Sequence, residues 1–139
     1  MKFRCPCGHI IRDQTDSLPY KARFLADEDQ NAIFEVVIES LEAFMTAKDM
    51  GKQEEFLVTC FGEPYPKEIE TKDILYDLLV AGLAAPRFIY ECENCGRIFF
   101  ETHSKEAELV SYVPEGESRG VLQSHRRRPD KELSDLHEG

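Results

Sequence analysis

Cys5-Pro6-Cys7-Gly8-His9 packs two thiols and an imidazole into five consecutive residues, and a second close pair, Cys92-Glu93-Asn94-Cys95-Gly96, stands far along the chain. The chain holds five cysteines, an odd number, and C-x-C and C-x-x-C spacings are too tight for the disulfide framework of a small secreted domain. Metal binding suits them better. A tetrahedral ion favours four ligands and thiolates are excellent ones, so two separated pairs have to fold together to complete one site. That requirement sets the expected organisation: the ends of the folded part meet, and what lies between them is an insert.

Working outward, Lys2 to Arg4 and Ile10 to Arg12 read as short strands, the two arms of a hairpin around the first pair. Around the second pair, Arg87 to Cys92 and Gly96 to His103 are rich in aromatic and β-branched residues, and Glu108 to Val113 adds a third strand. Between the pairs the period changes to that of helices. Ile33, Phe34, Val37, Ile38, Leu41, Phe44 and Met45 recur at steps of three and four after the acidic run Asp27-Glu28-Asp29, whose charges suit a helix start. A shorter helix follows over Lys52 to Phe61, with Phe56, Leu57, Cys60 and Phe61 on one side and Cys60 expected in the core. A third runs from a Thr71 cap to a stop before Pro86. From Pro114 the chain is polar and lacks apolar periodicity, so it offers little to offset the entropy of ordering. The expected layout is one α+β domain over 1–113, with a helical insert at about 28–85 and a mobile tail over 114–139.

Each cysteine pair sits at a turn between strands and is followed by glycine, a layout that resembles the two knuckles of a zinc ribbon. The resemblance covers only the segments around the two pairs. It implies that Cys5, Cys7, Cys92 and Cys95 are the ligands of one structural Zn²⁺ and that the knuckles lie side by side in a small antiparallel sheet. The first knuckle departs from the pattern, with one residue between its cysteines where the ribbon has two. His9 is an alternative ligand at that knuckle, and a rubredoxin-like iron site accepts the same four thiolates. A redox pair is disfavoured, because a thioredoxin-like C-x-x-C opens a helix and Cys92 to Cys95 leads into strand residues.

Composition narrows the function. With 27 acidic against 17 basic residues in 139, the formal net charge is −10, which opposes nucleic acid as a partner. No apolar run approaches the length of a membrane span and no basic-then-apolar leader opens the sequence, so a soluble, cytoplasmic protein is expected. No catalytic motif appears: Glu91 stands where a deaminase has proline, no H-E-x-x-H or phosphate loop occurs, and His103, His125 and His137 are scattered. An enzyme is not expected.

Glu28, Glu35, Glu39, Glu42 and Asp49 fall on one sector of the first helix, largely opposite its apolar stripe. Like charges four apart cost a helix a few tenths of a kcal/mol each. Such a row is either a solvated face or a surface that steers a basic protein partner. Size, acidity and the lack of a catalytic motif give a general likeness to bacterial immunity proteins, which neutralise basic toxin domains. The favoured reading is therefore a zinc-binding, non-enzymatic protein that binds a basic protein partner, as an inhibitor or immunity protein does. The alternatives are a zinc-ribbon accessory factor of transcription or translation and a thiol redox or metal-handling protein. Arg126-Arg127-Arg128 lies among acidic residues and reads as solvated, with a helix around Leu133 and Leu136 as a minor reading.

Overall fold

The computed structural model describes residues 1–125 except 67, 84, 85, 104, 105 and 107, so the readings of Arg126 to Arg128, Leu133, Leu136 and His137 lie outside the described residues. The class is α+β, with three α-helices and two antiparallel sheets among the described residues. The chain divides into two compact units, one formed by Met1–Phe24 with Arg87–Gly139 and the other by Leu25–Pro86.

In the first unit, β1 (Lys2–Arg4) and β2 (Ile10–Arg12) form a hairpin in which Phe3 pairs with Ile11. A second sheet runs in the order β3 (Lys21–Phe24), β4 (Arg87–Glu91), β5 (Ile98–Glu101), β6 (Leu109–Tyr112), antiparallel throughout. Because side chains alternate along a strand, the pairing of Tyr90 with Phe99 puts both rings on one sheet face. Phe3 meets them edge-on, at 5.4 Å from Tyr90 and 5.0 Å from Phe99 between ring centroids. Together with Ile11 these residues make a small core that also contains Cys5 and Cys92, so the thiols rest on packed aromatic side chains. Asp13, just past β2, ties the two sheets. Its carboxylate accepts the Tyr90 hydroxyl at 2.6 Å and the Lys21 ammonium at 2.8 Å.

Strand β3 was absent from the expected layout, which had one small sheet. Lys21-Ala22-Arg23-Phe24 is short, with charged residues at two of its four positions, and it becomes a strand by pairing with β4, whose residues come more than sixty positions later. Local pattern carries no trace of such a partner.

The second unit holds α1 (Gln30–Asp49), which follows a 3-10 turn at Asp27–Asp29, then α2 (Gln53–Phe61) and α3 (Thr71–Gly82). Its core is Phe44, Leu57, Ile74 and Leu78, with Leu41, Phe56, Phe61, Tyr65, Ile69 and Leu75 packed around it. Full burial of side chains of this size contributes roughly 1.5–3 kcal/mol each. Helices α1 and α3 approach closely at Gly82, where a Cβ would come within 2.5 Å of a Val37 methyl carbon.

Three local expectations are corrected here. Cys60 is exposed, not core: it shares the arc of Leu57, but α2 ends one residue later, and spacing cannot tell how far packing partners reach along a helix. Thr71 is the first helical residue and Glu70 takes the cap position in extended backbone, with no side-chain capping bond. The apolar stripe of α1 divides, with Val37 and Phe44 buried while Phe34, Ile38 and Met45 remain 49, 54 and 61 % exposed.

Candidate metal centre

Two turns build the site. After β1, Cys5 donates its N–H to the His9 carbonyl at 2.8 Å and receives the Gly8 N–H on its own carbonyl at 2.8 Å. After β4, Cys92 donates to the Arg97 carbonyl at 2.8 Å and receives the Gly96 N–H at 2.7 Å. The turns are the same device at two lengths, the first shorter by one residue. Each closes on a glycine at positive φ, +97° at Gly8 and +74° at Gly96, a backbone region that side chains with a Cβ rarely adopt.

The turns bring the Sγ atoms of Cys5, Cys7, Cys92 and Cys95 within 4.8 Å of one another. Across the turns, Cys5 lies 3.5 Å from Cys95 and Cys7 lies 3.6 Å from Cys92. Thiolates at about 2.3 Å from a tetrahedral zinc stand roughly 3.8 Å apart, so the donor set matches the ion in number, chemistry and spread. These four residues can hold one metal ion. The His9 ring is not among the clustered atoms. It faces the Glu93 carboxylate, 3.9 Å away, so the alternative in which it replaces a cysteine finds no support in the geometry.

Electrostatics differ around the ring of sulfurs. Burial pushes the Cys5 thiol up to about 12, against the lowering effect of the Cys7 backbone N–H. Burial likewise raises Cys92, although the backbone N–H groups of Cys95 and Asn94 pull the other way. Cys7 is the exposed member, and the Asn94 side chain, followed by the His9 backbone N–H, draws its thiol down to about 6. The Asn94 amide donates to the Cys7 sulfur at 3.4 Å. N–H groups aimed at sulfur thus come from both turns.

Sequence reasoning missed two residues here, Asn94 and Glu91. Glu91 is only 2 % exposed, next to Cys92, and accepts the Gly120 N–H at 2.7 Å and the Leu122 N–H at 3.4 Å. Arg119 adds a hydrogen bond from Nε to the Asn94 carbonyl at 3.2 Å. The segment expected as a mobile tail from Pro114 onward makes these hydrogen bonds as far as Leu122. What anchors it is main-chain N–H to a buried carboxylate, which hydrophobic periodicity does not register. The available signal was an acidic residue at the end of the otherwise apolar run Phe88 to Cys92.

The acidic residues expected on the partner surface belong to the second unit. Glu35, Glu39, Glu42 and Asp49 are exposed on α1, and Glu28 is exposed in the turn before it. At the helical repeat, the exposed Phe34, Ile38 and Met45 form a strip directly beside that row, between it and the buried face. No helix of the described residues is long and apolar enough to cross a membrane.

No curated protein and no solved structure matches the chain. A family model does, over residues 1–116, and that span takes in both turns and all four clustered cysteines. The chain belongs to this family, described as a domain of unknown function, DUF8617.

Proposed function

We propose that the protein is a zinc-stabilised protein-binding module: Cys5, Cys7, Cys92 and Cys95 hold a structural Zn²⁺, and the outer face of α1 receives a basic, amphipathic protein segment. The gathering of four sulfurs within 4.8 Å of one another supports the metal. Four thiolates fill the coordination shell and leave no position for substrate, which favours a structural over a catalytic ion. Inhibition of a basic protein, as by an immunity protein, is a role consistent with this reading and with the net charge of −10.

The partner reading is carried by the pairing on α1 of an exposed apolar strip, Phe34, Ile38 and Met45, with the carboxylates of Glu35, Glu39, Glu42 and Asp49. Apolar side chains left in water beside a row of like charges complement a helix with a leucine face bordered by lysines. Binding should combine apolar burial, which holds the complex together, with steering that weakens as the Debye length falls from about 10 Å at 0.1 M salt to about 3 Å at 1 M.

The test has two arms. Metal analysis of the purified chain should find one zinc per molecule, removable by chelator. A leucine- and lysine-faced helical peptide should bind the wild-type chain, with association slowed by salt. Ile38→Asp should weaken it at least tenfold through dissociation, and joint reversal of Glu35, Glu39 and Glu42 to Lys should remove the salt dependence. Equal binding by the wild type and both variants, or none by any of them, rejects the α1 surface without touching the metal reading.

A further inference from the structure

We infer that residues 118–122 are a working part of the metal centre, a strap that Glu91 holds against the second cysteine turn so that metal loss is controlled from outside the two turns. The inference rests on the reading of the four cysteines as metal ligands and extends it to residues that ligate nothing.

The contacts converge on that turn from three directions. Glu91 precedes Cys92 and is 2 % exposed, and its carboxylate receives two main-chain N–H groups of the strap, from Gly120 at 2.7 Å and Leu122 at 3.4 Å. A buried carboxylate is costly unless hydrogen bonds satisfy it, so the strap and the glutamate require each other. Arg119 reaches the Asn94 carbonyl at 3.2 Å, and the Asn94 amide in turn donates to the Cys7 sulfur at 3.4 Å, which links the strap through one residue to a ligand of the other turn. Third, the strap lies directly on Gly96: a Cβ there would meet the Ser118 carbonyl oxygen at 2.7 Å and the Arg119 guanidinium at 2.8 Å. Gly96 closes the second turn by its N–H to the Cys92 carbonyl. With the strap in place, Gly96 at the close of the turn that presents Cys92 and Cys95 is buried, while Glu93 and Asn94 within the turn stay exposed. Once the strap lifts, Glu91 loses the two N–H partners that satisfy it under that turn, and Asn94 loses the bond to its carbonyl. Glu91 is thus a positioning residue, acting on the sulfurs through backbone geometry.

The strap's own conformation depends on Gly120, at φ +72°, which turns its N–H toward Glu91. A β-branched residue is strained there, so Gly120→Val attacks the same contact from the strap side, far in sequence from any cysteine.

The experiment is a double-mutant cycle on the full chain loaded with Zn²⁺ or Co²⁺, reading the rate of metal transfer to excess chelator and the cobalt–thiolate absorption. Glu91→Ala and Gly120→Val should each speed metal release by about tenfold, and the double variant should be no faster than the quicker single one, because both act on one contact. Glu91→Gln, which keeps one acceptor oxygen, should recover part of the loss. Cobalt absorption should keep its four-thiolate character, since no ligand is removed. Asp13→Ala, which weakens the same unit away from the strap, should lower stability with release changed by less than twofold. Should Glu91→Ala fail to fold, Gly120→Val alone decides by the same tenfold criterion. Release within twofold of wild type in both strap variants, effects that multiply in the double, or equal acceleration by Asp13→Ala would overturn the inference. A wild-type chain that takes up no cobalt rejects the metal reading itself, and the strap's role with it.

Discussion

Single thiols in this chain have very different weights. Cys92 is fully buried, belongs to the aromatic core and is one of four converging sulfurs, whereas Cys60 is exposed at the end of α2. Structural zinc contributes roughly 10 kcal/mol or more at neutral pH, far above any surface contact. Cys92→Ser is expected to abolish stoichiometric metal and to lower the melting temperature of its unit by well over about 10 °C, as about 1 kcal/mol already moves a domain of this size by several degrees. Cys60→Ser should leave metal content unchanged and stability within about 0.5 kcal/mol of wild type, as for most surface positions. Metal analysis beside thermal unfolding checks both. A Cys92→Ser chain with full metal content would remove that residue from the ligand set.

At the scale of elements, two junctions set the expected costs. Asp13 joins the hairpin to the larger sheet, and although burial alone would raise its carboxyl pKa, the hydrogen bonds from Lys21 and Tyr90 outweigh it and leave the pKa below the usual carboxylate range. A depressed pKa means that the native state favours the ionised form. Its contribution is therefore fully present above the unfolded value of about 3.9 and is lost as pH falls through the lower folded value. Asp13→Ala should cost about 2 kcal/mol near neutral pH, because Tyr90 and Lys21 both lose a charged partner. Measured by denaturant titration, the gap between the two chains should close below about pH 4. A gap that stays constant down to pH 3 would show that the ionised carboxylate is not its source. The second junction is the α1–α3 contact, where Gly82→Ala sets two effects against each other. Alanine improves helix propensity by up to about 1 kcal/mol, and less at the last helical residue. Its Cβ would stand 2.5 Å from a methyl carbon of buried, χ1-stiff Val37, and overpacking of that kind costs typically 1–3 kcal/mol. Net destabilisation is expected, partly recovered by adding Val37→Ala. A Gly82→Ala chain more stable than wild type would show that the helices separate at little cost.

For the molecule as a whole, the two units have separate cores, and the four clustered cysteines all belong to the first unit. The core of the first unit is small, with Cys5 and Cys92 among its buried members, so cross-linking through a metal held by the four cysteines would add stability that apolar burial there does not supply. Removing the metal with a chelator should unfold the strand unit and expose its aromatic residues. Helical circular dichroism should be largely kept, since Phe44, Leu57, Ile74 and Leu78 pack without reference to the metal. Thermal unfolding of the metal-free chain should accordingly show only the transition of the helical unit. Complete loss of helical signal on chelation would mean that the helices depend on the metal after all.

Short-range chemistry was legible in the linear order of residues. The α+β class, the helices between the cysteine pairs and the strands flanking each pair follow from a helical period of 3.6 residues, from aromatic and β-branched content and from the turn chemistry around Gly8 and Gly96, all of which act within a few positions. The convergence of Cys5, Cys7, Cys92 and Cys95 was legible as well, because a tetrahedral ion needs four ligands and each tight pair supplies two. Tertiary structure alone decided the rest. It made a strand of Lys21-Ala22-Arg23-Phe24 by pairing it with β4, left Cys60 and Ile38 in water although their spacing matched buried neighbours, and buried Glu91 beneath the main chain of Gly120 and Leu122. In each case the deciding partner lies on another element. Periodicity records which side of a helix or strand a residue occupies, while burial depends on what covers that side and how far along it the cover extends.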